Sequence, residues 1–129
     1  VGAGAITFSP LAQGLLTDRY LTGIPADSRA AQDKSLAPSQ LSDENLDRIR
    51  GLARIAEGRG QSLAQMAVAW TLRDPRVTST LLGASSAAQL RETAAAVRST
   101  SFTDAELAEI DAFAVEGDIN LWAAQSVIP

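Results

Sequence analysis

The sequence predicts an α/β fold built on parallel strands, and three observations carry that expectation. Two β-type runs, Ala5-Ile6-Thr7-Phe8 and residues 77–83, are separated by helical pattern. Strands joined across helices take crossover connections and pair in parallel. The first run is nearly continuous in apolar character, which suits a strand buried on both faces. Two strands cannot close a sheet, and their outer edges would be open. The order strand, long loop, helix, helix, strand, helix, helix, tail therefore reads as the end of a larger α/β protein. The first residue, Val1, agrees with a processed product or a piece of something longer.

Each element has its own signals. Gly2 and Gly4 precede the first strand, and Ser9-Pro10 ends it, because proline offers no N–H to a ladder. From residue 11 to 41, Gly14, Gly23, Pro25 and Pro38 break any period, which predicts a long loop with one helical turn at 15–21. Loops this long in compact domains are usually functional or disordered. Ser42 is an N-cap with Asp43 and Glu44 in the first turn, where the helix dipole favours negative charge. Leu46, Ile49, Leu52, Ala53 and Ala56 follow at helical spacing, and Gly58 or Gly60 supplies the stop. Ser62-Leu63-Ala64-Gln65 is a capping box. It opens a helix with Leu63, Met66, Ala67 and Trp70 on its core face, closed before Pro75.

Thr78, Thr80, Leu81 and Leu82 make the second strand. Gly83-Ala84-Ser85-Ser86 then turns into a helix over residues 87–97 with Ser86 as its cap. A second capping box, Thr103-Asp104-Ala105-Glu106, starts a helix that sends Leu107, Ile110, Phe113 and Ala114 to a core. The tail over residues 115–129 is irregular. No internal repeat or low-complexity segment is present.

Composition excludes more than it admits. With 129 residues and 46% hydrophobic content, the chain has the length of one ordinary domain and the apolar content for a core. It lacks cysteine, which removes disulfides, thiol catalysis and cysteine-based zinc sites. It lacks histidine, the commonest metal ligand and general base, so no metal site is expected. A net charge of −4 argues against a nucleic-acid surface. Apolar runs are too short for membrane insertion, and no secretory signal is visible, so a cytoplasmic protein is expected. Asp43, Glu44, Asp104, Glu106 and Glu109 are read as solvated helix faces and caps, with no pair suited to acid–base work.

The chemistry is expected where the strands end. The first strand leads into Ser9-Pro10-Leu11-Ala12-Gln13-Gly14-Leu15-Leu16-Thr17, and the second into Gly83-Ala84-Ser85-Ser86 at a helix start. A helix start presents unpaired N–H groups and partial positive charge, and glycine lets backbone approach a ligand. The residues alone leave two readings of the second loop. It is a phosphate site, or Gly83 makes a tight turn and Ser86 caps a helix.

Four stretches, SPLAQGLLTDRYLTG, IPADSRA, RGQSLAQMAVAWTLRDPRVTSTLLGASSAAQL and INLWAAQS, resemble the C-terminal part of an aldo-keto reductase. The likeness is to the branch that holds glyceraldehyde 3-phosphate and methylglyoxal reductases and potassium channel β-subunits. It runs collinearly over essentially all of residues 1–129. The resemblance implies the C-terminal portion of a (β/α)8 barrel: strands 7 and 8 with their helices, a C-terminal helix and a tail. It implies NADP(H) as cofactor and a small aldehyde as substrate, reduced to an alcohol by the full-length protein. The loops after strands 7 and 8 are the usual phosphate site of such barrels.

Carried over by motif, Ser9, Leu11, Gln13 and Gly14 would line the nicotinamide–pyrophosphate stretch. Arg19, Ser28 and Arg29 would lie in a cofactor-covering loop at 11–41, the arginines pairing with phosphate or, for Arg29, stacking on adenine. Gly83, Ser85, Gln89 and Glu92 would hold the adenosine 2′-phosphate end. Thr93 stands where the family has Asn, a departure that touches one adenine hydrogen bond. Trp122 would shape the substrate pocket or anchor the tail, while Trp70 reads as core.

The family's tetrad of Asp, Tyr, Lys and His belongs to the N-terminal half of the barrel. Tyr20 and Lys34, the sole residues of their types, match no tetrad position. No catalytic residue is therefore expected in this chain, which alone should be inactive. Its expected partner is the N-terminal part of the barrel or a second copy. Two alternatives stand beside the enzyme: a regulatory, cofactor-sensing protein like the channel β-subunits, and an inactive stand-alone binding fragment.

Overall fold

The computed structural model describes residues 2–27 and 40–117. Strand β1 (Ala5–Phe8) and helix α1 (Asp43–Gly58) are followed by α2 (Leu63–Leu72), β2 (Val77–Leu81), α3 (Ala87–Ala94) and α4 (Asp104–Phe113). Short 3₁₀ turns occupy Ala12–Gly14, Asp18–Tyr20 and Ala95–Arg98. The architecture is α/β, and β1 and β2 pair in parallel, as expected.

The helix starts follow their local chemistry. Ser42, Ser62, Ser86 and Thr103 each accept a backbone N–H from three residues on. Both capping boxes are closed reciprocally, by Gln65 and by Glu106. Helix α1 ends at Gly58, and Gly60 takes a left-handed φ of +68° just beyond it. Inside α1, Gly51 is buried, and a Cβ there would collide with the Phe113 ring. A mid-helix glycine costs about 1 kcal/mol relative to alanine; here it lets α4 approach α1.

The sheet differs from expectation in burial. Ile6 and Phe8 on β1, with Leu81 opposite Phe8 on β2, are 71%, 62% and 66% exposed. The expected burial on both faces is thus absent in this chain. On the reverse face Thr7 and Thr80, in register, are half-buried and joined by a hydroxyl–hydroxyl bond of 2.8 Å. Helix α2 packs against β2. The turn before β2 is fixed by Asp74, which accepts from the Arg76 N–H and guanidinium. These bonds hold the Asp74 carboxyl well below the usual range.

Other bounds also shift. The second strand stops at Leu81 instead of residue 83. The helix expected over 87–97 is α-helical only to Ala94 and tightens to 3₁₀ over Ala95–Arg98. The turn expected at 15–21 is two 3₁₀ turns, at Ala12–Gly14 and Asp18–Tyr20. Ala114 is exposed, because α4 ends at Phe113 and the backbone leaves helical geometry there.

The main core joins α1, α2 and α4 to the loop after β1. Leu46, Ile49, Leu52 and Ala56 of α1 meet Leu63 and Met66 of α2, Ile110 of α4, and Leu15 and Tyr20 of the loop. Ala67 and Trp70, expected on the core face of α2, are half-buried; Trp70 packs at the core's margin, with the Arg73 guanidinium 3.7 Å from its ring centroid. Its buried indole N–H has no hydrogen-bond partner.

Arg59 fastens the end of α1 to the start of α4. It pairs with Glu106 at 2.8 Å, donates to the Ser101 carbonyl at 3.0 Å and lies over the Phe102 ring. The Thr103 N–H, with Arg59 beside it, holds the Glu106 carboxyl below its ordinary range. Among the described residues, no helix is long and apolar enough to cross a membrane.

Candidate functional site

The two strand ends open into one cleft of about 850 Å³. Its walls are the loop after β1 and the loop that carries β2 into α3. Of the residues singled out in the sequence, Ser9, Leu11, Gln13, Gly14, Arg19, Gly83, Ser85 and Gln89 all line it.

The first wall is a strained backbone held by local bonds. Ser9, Ala12 and Gln13 have φ of +53°, +46° and +60°, and Gly14 has +96°. Left-handed backbone costs a non-glycine residue about 1–2 kcal/mol, and such residues collect at ligand-binding sites. The geometry is fixed by Ala12 N–H to Ser9 O at 3.1 Å and by the Gly14 and Leu16 N–H groups, which share the Leu11 carbonyl. Thr17 donates to the Gly14 carbonyl at 2.6 Å and caps the next turn. Leu15 and Tyr20, each 1% exposed, pin the loop into the core. Thr17 and Arg19, set between these anchors, line the cleft.

The second wall begins with Gly83. Its φ lies outside the left-handed region, and a Cβ there would meet nothing within 4 Å. The tight-turn reading of this glycine is therefore corrected: the local backbone does not require it. Gly83 lines the cleft. Beyond it, the Gln89 side chain accepts from the Ser85 N–H at 2.7 Å and hydroxyl at 3.0 Å. Ser86 caps α3 through the Gln89 N–H.

Glu92 is placed elsewhere. It does not line the cleft; its carboxylate accepts the Ser62 hydroxyl of α2 at 2.5 Å, and its carbonyl accepts from Gln65. Thr93 is buried behind it, 3% exposed. Ser28, Arg29, Lys34 and Trp122 lie outside the described residues, as does the tail from residue 118. The sequence reading missed Thr17 and Asp27 as lining residues; Asp27 sits in the IPADSRA stretch already singled out.

Arg19 is the one cation among the described lining residues, and Asp27 the one anion. They pair at 3.3 Å, and both are well exposed. Backbone open to close approach, hydroxyls, amides and a guanidinium suit an extended anionic ligand. No His, Cys, Asp and Glu cluster among the described residues could hold a metal.

Comparison with known proteins supplies the context. The model of the Aldo/keto reductase family matches residues 2–115. L-glyceraldehyde 3-phosphate reductase of Escherichia coli (strain K12) is 50% identical over 129 residues, covering 97% of this chain and 37% of its own length. A probable voltage-gated potassium channel subunit beta of Oryza sativa subsp. japonica is 47% identical over 94 residues, 70% of this chain and 29% of that protein. A putative subunit of the same kind from Schizosaccharomyces pombe is 41% identical over 100 residues, 74% of this chain and 29% of that protein. The matches thus span 29–37% of the length of these relatives. With a family match over most of its length, the chain belongs to the aldo/keto reductase family.

Proposed function

We propose that this chain is the NADP(H)-binding, C-terminal part of an oxidoreductase that reduces small aldehydes to alcohols. Its two strands would be the seventh and eighth of a (β/α)8 barrel. The remaining strands, or a second copy, would cover the exposed Ile6, Phe8 and Leu81. The observation that carries the reading is Gly83, a glycine with no local backbone need that lines a cleft shared by both strand ends. The 50% identity to a glyceraldehyde 3-phosphate reductase supports the reaction class.

NADPH, when bound, would supply the hydride for the reduction. This chain's residues would bind and orient it. Ser9, Leu11, Gln13 and Gly14 would line the nicotinamide–pyrophosphate stretch along the strained wall. Gly83, Ser85 and Gln89 would receive the 2′-phosphate end, with Arg19 and, from outside the described residues, Ser28 and Arg29 closing over it. Glu92 would have to exchange the Ser62 hydroxyl for the adenine amine. Trp122, outside the described residues, would shape the substrate pocket or anchor the tail. A second reading, a channel β-subunit-like regulator that keeps the cofactor site for sensing, is favoured by the 41% and 47% identities to such subunits.

The full-length protein that carries this segment is expected to prefer NADPH over NADH. Arg19 and Ser85 line the cleft and could exchange Asp27 and Gln89 for a 2′-phosphate, and each charge-assisted hydrogen bond is worth about 1.5–3 kcal/mol. One such bond corresponds to a dissociation constant at least about tenfold lower for NADPH. Calorimetric titration with both dinucleotides checks this, and equal constants would remove the 2′-phosphate assignment.

A further inference from the structure

We infer that Asp27 is a built-in competitor of the ligand's phosphate for Arg19: it holds the Nη2 edge of the guanidinium, which Arg19 gives up when it turns its full fork to an anionic dinucleotide. The inference rests on the NADP(H) reading above. Arg19 Nη2 lies 3.3 Å from the Asp27 carboxylate and donates at 3.3 Å to the Asp27 carbonyl. One guanidinium nitrogen therefore serves both groups of the same residue. Both side chains line the cleft, and no other charged residue among the described ones does. The cleft wall thus carries no net charge from these residues, although Arg19 is the group best suited to an anion.

The pair is built to exchange. Its side chains are 45% and 83% exposed, and ion pairs in such positions are weak and screened by salt. A phosphate offers more charge than a carboxylate and a fork-shaped set of acceptors that matches the guanidinium. Arg19 can swing without losing its base, because Tyr20 next to it is buried and the Thr17 hydroxyl accepts the Arg19 N–H. Removing the Asp27 charge should help the ligand by freeing Arg19.

The test is NADPH affinity of the full-length protein that carries this segment, for the unaltered protein, Asp27→Asn, Arg19→Gln and the double variant. Circular dichroism confirms folding, which neither exposed position is expected to disturb. Asp27→Asn should tighten NADPH by about fivefold at low ionic strength, and the gain should largely vanish near 1 M salt. Arg19→Gln should weaken binding by about tenfold. In the Arg19→Gln background, Asp27→Asn should gain clearly less than it does alone, because the competition is gone. An unchanged or weaker affinity for Asp27→Asn overturns the inference while leaving the NADP(H) reading in place. An equal gain with and without Arg19 also overturns it, making Asp27 a mere like charge. If the unaltered protein does not bind NADPH at all, both the reading and the inference fall.

Discussion

Gly83→Val is expected to weaken NADPH binding by the full-length protein by about 100-fold or more while leaving its fold intact. The fold should tolerate valine, because the φ of Gly83 is outside the left-handed region and a Cβ meets nothing within 4 Å. Exposed substitutions of this kind usually change stability by less than about 0.5 kcal/mol. The ligand should not tolerate it, because Gly83 lines the cleft, and a branched side chain there would take up space where a phosphate needs to approach the backbone. Gly83→Ala should fall between the two. Fluorescence titration of NADPH, with a thermal melt for each variant, checks the pair of expectations. Normal binding by a folded Gly83→Val protein would mean that the glycine plays no part in ligand access.

The 129-residue chain by itself is expected to reduce no carbonyl substrate above background. Carbonyl reduction needs a proton donor whose pKa is tuned by neighbours. The sequence has no histidine, and its one lysine, Lys34, lies outside the described residues. Its one tyrosine, Tyr20, is 1% exposed and packed among Leu15 and the apolar residues of α1 and α2, so its work is to anchor the loop. Among the described lining residues the titratable groups are the buried Tyr20 and the Arg19–Asp27 ion pair, which holds its carboxylate to a guanidinium. NADPH oxidation against glyceraldehyde and methylglyoxal, with mass spectrometry to verify that only the 129-residue species is present, decides the matter. Turnover would place a proton donor within these residues.

What could be read from the sequence was local. The four N-caps and both capping boxes are written in three or four consecutive residues, and each formed as read. The parallel pairing of β1 and β2 followed from the helices between them. Strand burial differs from the expectation, because an apolar run reports what a strand is suited to meet, and among the described residues Ile6, Phe8 and Leu81 stay 71%, 62% and 66% exposed. The end of α3 differs too, since Ala95–Arg98 keeps helical composition while its hydrogen bonds shorten to the 3₁₀ type.

At the site, the residue types at the strand ends were legible, but their geometry was not. Ala12 and Gln13 carry no mark of left-handed backbone, which is imposed by the bonds to Ser9 and Leu11. The partner of Arg19 was equally hidden, because Asp27 is eight residues away across an irregular loop. Glu92 shows the same limit: its sequence position suggested the ligand, while its side chain reaches Ser62, thirty residues earlier.

Amide hydrogen exchange of the full-length protein, with and without saturating NADPH, tests most directly that the cleft between the two strand ends is the cofactor site. The amides of residues 9–14 and 83–89 should slow on NADPH addition, while those in the middle of α1 and α4, which do not line the cleft, should not change. Protection that spares both loops, in a protein that demonstrably binds NADPH, would place the cofactor elsewhere and contradict the account.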